Sequence, residues 1–113
     1  MGDAAPKSDL LQGTLDVLIL KVVALGPIHG YAIAQRLQQM SGAVLQVQQG
    51  SLYPALHRLE MRGEVKSEMT ASENNRRARV YTITRAGRKR LNQETELWEA
   101  FALSMRRVLE EGQ

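Results

Sequence analysis

The sequence predicts a mainly α-helical fold with one small β-hairpin, in the α+β class. Three observations predict it. Apolar residues recur at three- and four-residue steps before residue 63, which is the period of a helix. They alternate every second residue in two segments between residues 65 and 84, which is the period of a strand, and the helical period then returns. A chain of 113 residues, 43% of them hydrophobic, is long enough for one domain with its own core.

The first two helices are marked by start and stop signals. Asp9 can accept a hydrogen bond from a free backbone N–H, so the first helix is predicted to begin near Leu10 and to end at Gly26-Pro27. Its predicted apolar stripe is Leu11, Leu15, Leu18, Val22 and Leu25. The second helix is predicted to open at His29-Gly30-Tyr31 and to end at Ser41-Gly42. Its predicted buried side is Ile33, Ala34, Leu37 and Met40.

A third helix is predicted over residues 51–62. Ser51 can cap it, and Pro54 would fall in the first turn, where a missing N–H costs little. Gly63 is predicted to end it. On a helical wheel the buried stripe is Leu52, Leu56 and Leu59. The opposite side then carries Ser51, Pro54, His57, Arg58 and Met61, with Tyr53 and Arg62 at the flanks.

The remaining residues predict a hairpin and a long last helix. The strands lie near residues 65–70 and 80–84, joined by a polar loop over residues 71–78. Arg77 and Arg79 would share one side if strand pairing reached them, and Arg76 precedes them in the loop. Thr84 is predicted to cap a last helix of about 25 residues, which is longer than a small domain needs for its own core.

Charge and composition exclude several classes of protein. Residues 57–90 hold ten Arg or Lys against four Glu, a local charge of +6 within a chain of net charge +3. The chain has no cysteine, which excludes a disulfide framework, a thiolate zinc site and a cysteine nucleophile. The N-terminus is acidic, and no apolar run reaches the roughly 20 residues of a membrane span. We therefore expect a cytoplasmic protein without a membrane partner.

Signals for an enzyme are weak. His29 and His57 lie in different elements, and the sequence has neither a Gly-rich phosphate loop nor a nucleophile elbow. A metal site at His57 and Glu60 would need two further ligands that are not evident. Asp9 and Asp16 are explained by capping and surface roles. We expect no enzymatic activity, no cofactor and no metal.

The order of elements is that of a winged helix-turn-helix, whose third helix enters the major groove of double-stranded DNA. Hydroxyl groups suit phosphate oxygens, whereas His57 and Arg58 would reach base-edge acceptors. The hairpin arginines would approach phosphates or the minor groove. The predicted DNA-binding residues are Gln49, Ser51, Tyr53, Pro54, His57, Arg58, Arg76, Arg77 and Arg79. A winged helix that binds protein instead of DNA is the alternative, because folds do not fix functions.

The last helix predicts a homodimer. Apolar residues from Leu91 to Leu109 follow alternating four- and three-residue steps, the pattern of a coiled-coil seam, and such a surface would be exposed in a monomer. The predicted interface residues are Leu11, Leu15, Leu91, Trp98, Phe101, Ala102, Met105 and Leu109. Residues 1–84 would then be the DNA-binding domain and residues 85–113 the dimerisation helix. A two-fold dimer predicts a palindromic operator.

Trp98 has two interpretations. As a packing residue it would anchor the dimer, and as a ligand contact it would stack on a hydrophobic or aromatic effector at the interface. We favour packing, because aromatic residues at helical spacing most often have that role. The indole N–H keeps the second interpretation open.

Four segments resemble, in order and spacing, the PadR-like transcriptional regulators. They are Leu11-Gln12-Gly13-Thr14-Leu15, Gly26-Pro27-Ile28-His29-Gly30-Tyr31, Gly50-Ser51-Leu52-Tyr53-Pro54-Ala55-Leu56-His57-Arg58-Leu59 and Tyr81-Thr82-Ile83-Thr84-Arg85-Ala86-Gly87. The resemblance covers about residues 10–110 and implies a winged-helix homodimeric regulator, usually a repressor, with one long C-terminal helix. It places Ser51, Tyr53 and Arg58 on the DNA-facing helix and residues 76–79 in the wing. Trp98 is similar in placement to aromatics that line a drug-binding channel in some members.

Overall fold

The computed structural model describes residues 9–71 and 77–111, with side chains from Gly13 onward. Three strands form an antiparallel sheet in the order β1-β3-β2. The predicted fold class, mainly α with a small β-hairpin, is confirmed. The elements in chain order are α1 (Asp9–Ala24), β1 (Ile28–His29), α2 (Gly30–Met40), α3 (Gln49–Met61), β2 (Val65–Ala71), β3 (Arg77–Ile83) and α4 (Arg85–Glu110).

The hydrophobic core surrounds α1. Ile19, Leu20 and Val23 are almost completely buried, and they pack with side chains of α2, α3, the sheet and the start of α4. The predicted stripe on α1 is only partly correct. Val22 is buried, but Leu15 and Leu18 are half-buried, and Leu25 is exposed in the turn after the helix. Because α1 contacts α2 and α3 as well as α4, no single stripe describes its apolar surface. The roles predicted for Asp9 and Leu11 depend on side chains outside the described ones.

The segment before α2 differs from the prediction. Ile28 pairs with Tyr81 and His29 with Val80, so these two residues form a third strand. A two-residue strand is too short to show a period in the sequence. Ile33 and Leu37 are buried as predicted, whereas Met40, at the end of α2, is 48% exposed. The prediction that Met40 is buried is wrong, because Met40 is the last residue of α2 and an exposed segment over residues 42–44 follows it closely.

Helix α3 begins two residues earlier than predicted. Gln48 occupies the N-cap position without a side-chain cap, and the Ser51 backbone N–H donates to the Gln48 carbonyl. Ser51 is therefore inside the first turn rather than the cap. Pro54 lies in the second turn, where its missing N–H removes the intrahelical bond to the Gly50 carbonyl. The helix ends as predicted before Gly63, which has a φ of 75°.

The hairpin is longer than predicted. Pairing runs from Val65 opposite Ile83 to Ala71 opposite Arg77, so residues assigned to the loop belong to strands. Arg77 and Arg79 share one side of β3 as expected for alternate positions. Arg76 lies outside the described residues.

Helix α4 has the predicted start and length. Thr84 Oγ1 accepts a hydrogen bond from the Gly87 N–H at 3.1 Å and donates to the Gly63 carbonyl at 2.6 Å. The helix has 26 residues. Among the described residues, no helix is both long and apolar enough to cross a membrane.

Candidate nucleic-acid interface

One side of α3 is exposed along its whole length. The opposite side is buried by Leu52, Ala55, Leu56 and Leu59, so the helix is fixed with its polar side outward. This exposed side brings together most of the DNA-binding residues predicted on this helix: Gln49, Ser51, Tyr53, Pro54 and His57. These five side chains form the outer face of α3.

Gly30, the first residue of α2, lies close behind Tyr53. A Cβ on Gly30 would lie 3.0 Å from the Tyr81 ring and 3.3 Å from the Tyr53 ring. A side chain at this position would press on both rings, so glycine lets α2 begin close to them. Tyr53 is therefore supported from behind, while close to half of its surface stays exposed. Sequence reasoning did not connect Gly30 with Tyr53.

A groove separates the outer face of α3 from the hairpin of β2 and β3, here called the wing. It is lined by Tyr53, His57, Glu60, Met61, Arg79 and Tyr81. Arg79 Nη1 donates to Ser67 Oγ at 3.0 Å, and Ser67 Oγ donates to Glu60 Oε2 at 2.8 Å. This chain of contacts connects strand β3 to α3 through β2. Burial raises the pKa of the Tyr81 phenol above its usual 10.0, and the negative charge of Glu60 raises this pKa further.

The guanidinium of Arg58 turns away from the outer face of α3, where it was predicted to lie, although 33% of its side chain stays exposed. Its Nη2 donates to Asp16 Oδ1 of α1 at 3.1 Å, which directs the guanidinium toward the interior of the fold. Asp16 is only 3% exposed, so the surface role expected for Asp16 is wrong. The signal was present in the sequence, since Asp16 precedes Ile19, Leu20 and Val23 at three-, four- and seven-residue steps and thus shares their face.

The cations of residues 57–90 divide into two groups. Arg58, Arg62 and Arg90 contact carboxylates inside the fold. The cations of the second group are exposed, and within residues 9–71 and 77–111 they form no ion pair to a carboxylate. They are Lys66, Arg77, Arg79, Arg85, Arg88 and Lys89. Among the described cations of residues 57–90, those of this second group lie on the hairpin of β2 and β3 and at the start of α4.

A cavity of about 330 Å³ lies between α1 and α4. Trp98 and Phe101 line one side with their rings stacked at 5.4 Å, and Glu94 supplies a carboxylate. The side formed by α1 consists of Gly13, Thr14, Val17 and Leu18, which sequence reasoning did not assign to it. Trp98 is 47% exposed, so it is not a core residue of the single chain.

The second half of α4 presents an exposed apolar face. Trp98, Phe101, Met105 and Leu109 all keep 40% or more of their surface accessible. Leu91 was predicted in the same seam, but it is buried in the core of its own chain. Of the predicted interface residues whose side chains are described, Leu91 lies in the core and Leu15 on α1 is half-buried. The others are exposed on α4: Trp98, Phe101, Ala102, Met105 and Leu109.

Three helices with an exposed third helix, followed by a β-hairpin that carries exposed arginines, define a winged helix-turn-helix protein. The sequence model of the transcriptional regulator PadR-like family matches residues 19–93, more than half of the chain. The chain belongs to this family. It is therefore a transcriptional regulator and not an enzyme.

Two relatives named as transcriptional regulators agree with this assignment, and a third is uncharacterised. A transcriptional regulator of Mycobacterium tuberculosis is 37% identical over 84 residues, which cover 74% of this chain and 75% of that protein. A transcriptional regulator from Clostridium thermocellum, whose structure is solved, has a TM-score of 0.76 at 29% identity, over 94% of this chain and 100% of that one. An uncharacterised protein from a transposon of Streptomyces fradiae is 42% identical over 78 residues, but this chain spans only 21% of its length.

Proposed function

We propose that this protein is a homodimeric repressor that binds a palindromic operator in double-stranded DNA. The observation that carries the proposal is the continuous surface formed by the outer face of α3, the groove and the exposed arginines of β3. A helix with one exposed polar side fits the major groove, and arginines beside it fit the backbone or the minor groove. As a repressor the protein would act in the cytoplasm, together with the DNA that it binds.

Each part of this surface has its own proposed role. Ser51 and Tyr53 would donate to phosphates, and His57 would read base edges next to Gln49 and Pro54. Arg77 and Arg79 would contact the backbone from the wing, together with Arg76. We do not propose that Arg58 reads bases, because its guanidinium already forms an ion pair with Asp16.

The exposed apolar face of α4 supports the proposed dimer. A contiguous patch of large apolar side chains is unusual in a monomer, and a second copy would cover it by two-fold symmetry. Two copies of α3 would then meet successive major grooves about 34 Å apart. In this proposal residues 1–84 form the DNA-binding part and residues 85–113 the dimerisation helix. The start of α4 also packs in the core, since Gly87 and Leu91 are buried.

The cavity beside Trp98 supports an effector of hydrophobic, aromatic character. Its lining combines two stacked aromatic rings with aliphatic side chains of α1. An effector there would change how α1 packs on α4 and so the spacing of the two α3 helices. Titration with 2-naphthylmethanol tests this part: we expect quenching of Trp98 emission and weaker operator binding. Absence of both for a series of such aromatic compounds would contradict an effector role for the cavity.

The main experiment selects DNA from a random duplex library with the purified protein and then measures binding by fluorescence anisotropy at several salt concentrations. We expect a palindromic site, and a logarithm of affinity that falls linearly with the logarithm of salt concentration. A scrambled duplex of the same composition is the control. Failure to bind any duplex at low salt would refute the proposal and favour the alternative, a winged helix that binds protein.

A further inference from the structure

A buried carboxylate connects the helix that faces DNA to the rest of the fold. Asp16 Oδ1 accepts a hydrogen bond from Arg58, and Oδ2 accepts one from Arg62 at 3.4 Å. Arg90 of α4 approaches the same Oδ2 at 3.8 Å, while its Nη1 lies 2.7 Å from Glu64. One carboxylate of α1 thus receives cations from both α3 and α4.

This arrangement restrains the rotation of α3 about its own axis. Arg58 and Arg62 are one helical turn apart, and each contacts a different oxygen of the same carboxylate. Rotation of α3 in either direction would lengthen at least one of these contacts. The same rotation would move Tyr53 and His57, which lie on the opposite side of the helix. The contacts of Asp16 therefore add to the buried leucines in restraining which side chains of α3 face outward.

Stability alone does not account for the cluster. Burial of charges costs desolvation free energy, and apolar residues of similar volume often replace a buried ion pair without loss of stability. Arg58 and Arg62 are half-exposed cations beside a surface that would bind a polyanion, yet both turn toward Asp16. A role in orientation explains why they do so.

We propose that Asp16 is a positioning residue that holds α3 in its DNA-binding orientation. This inference rests on the proposed DNA-binding function. It makes a prediction opposite in sign to simple electrostatics, because removal of a negative charge normally strengthens binding to DNA. If Asp16 positions α3, its loss instead weakens binding to the operator.

The test compares Asp16→Asn with Glu96→Gln, which removes the same charge from an exposed site on α4. Affinities are measured for the selected operator and for a scrambled duplex. We expect Asp16→Asn to lower the operator affinity about tenfold, the effect of losing a good base contact, without lowering the affinity for the scrambled duplex. Glu96→Gln should leave the ratio of the two affinities unchanged. An unchanged ratio in folded Asp16→Asn would overturn the inference.

A second comparison separates orientation from direct contact. Together with Asp16→Asn, the variants Arg58→Met and Asp16→Asn/Arg58→Met form a double-mutant cycle. If Arg58 acts through Asp16, the double variant should lose no more operator preference than either single variant. Additive losses would mean that Arg58 contacts DNA itself and would overturn the inference. Circular dichroism shows whether Asp16→Asn is folded. If it is not, Arg58→Met and Arg62→Met take its place, and an unchanged operator preference in both would overturn the inference. Absence of DNA binding by the wild-type protein contradicts the proposed function instead.

Discussion

At the scale of single residues, the charges on the wing and the side chains of α3 should have separable effects. Arg77→Ala should weaken binding to every duplex, because a phosphate contact carries no sequence information. The slope of log affinity against log salt should decrease by about one for each copy of Arg77 on the DNA. His57→Ala should instead change the preferred sequence in a repeated selection. Arg107→Ala, on the exposed side of α4, removes the same charge and is the control for Arg77. Equal effects of Arg77→Ala and Arg107→Ala would contradict the proposed wing contact.

Tyr81 makes stability depend on alkaline pH. Burial and the charge of Glu60 raise its pKa in the folded protein above 10.0, the usual value that the unfolded chain retains. As pH rises through this interval, the unfolded state loses the phenolic proton first, so the free energy of unfolding should fall. Urea denaturation at pH 8.5 and near pH 10.5 measures how much unfolding free energy is lost between the two pH values. This loss should be smaller for Tyr81→Phe than for the wild type. Tyr31→Phe, at an exposed position, should keep the wild-type loss.

The residues also show how far sequence reasoning extends. The outer face of α3 could be predicted from three leucines alone, since a helical wheel fixes the opposite side once the buried stripe is known. Arg58 could not be placed correctly in this way. Its long side chain starts on the exposed side of the helix, and its direction depends on Asp16, which is 42 residues away in the sequence. Glu60 was missed for the same reason, because its partner Ser67 lies on a strand.

At the scale of elements, α4 packs against the hairpin through a glycine. A Cβ on Gly87 would overlap the Glu64 carbonyl and lie 2.8 Å from Ile83 Cγ1, so the backbone would have to move. Gly87→Ala should lower the free energy of unfolding by about 2 kcal/mol, as expected for overpacking, although alanine ordinarily favours a helix. Gly13→Ala in α1 is the matched control, because a Cβ there meets nothing within 4 Å. Thermal unfolding of both variants measures the difference, and equal stabilities would contradict this packing role.

Elements with a strong local signal were predicted and the others were not. Thr84 followed by Gly87 correctly gave the start of α4, since the cap depends only on residues three apart. Strand β1 has two residues and exists because β3 offers its free edge, which is a tertiary effect. The start of α3 was misplaced because Ser51 has the chemistry of a cap, whereas Gln48, which has no capping side chain, occupies that position.

At the scale of the whole molecule, the chain extends 58 Å along its longest axis and 24 Å along its shortest. Helix α4 accounts for much of this length, since 26 residues span about 39 Å. Its first half is tied to the core by Gly87, Arg90 and Leu91, and residues 95–111 are all exposed. Outside the cavity beside α1, nothing in the described part of one chain covers this half, although it contains half of the large exposed apolar side chains. The second copy proposed above would make the projecting helix part of a packed core.

Two substitutions on α4 distinguish a dimer seam from ordinary helix surface. Met105 and Leu103 are similarly exposed, but they point about 160° apart around the helix, and only Met105 continues the face of Trp98 and Leu109. Met105→Glu should raise the dimer dissociation constant about 30-fold or more, because it places a charge at a packed position worth about 2 kcal/mol. Leu103→Glu should leave the dimer intact. Light scattering during size-exclusion chromatography over a dilution series measures both. A wild-type monomer at micromolar concentration, or equal dissociation of the two variants, would contradict the proposed seam. Operator affinity should fall together with dimerisation in Met105→Glu, because a monomer binds only one half-site.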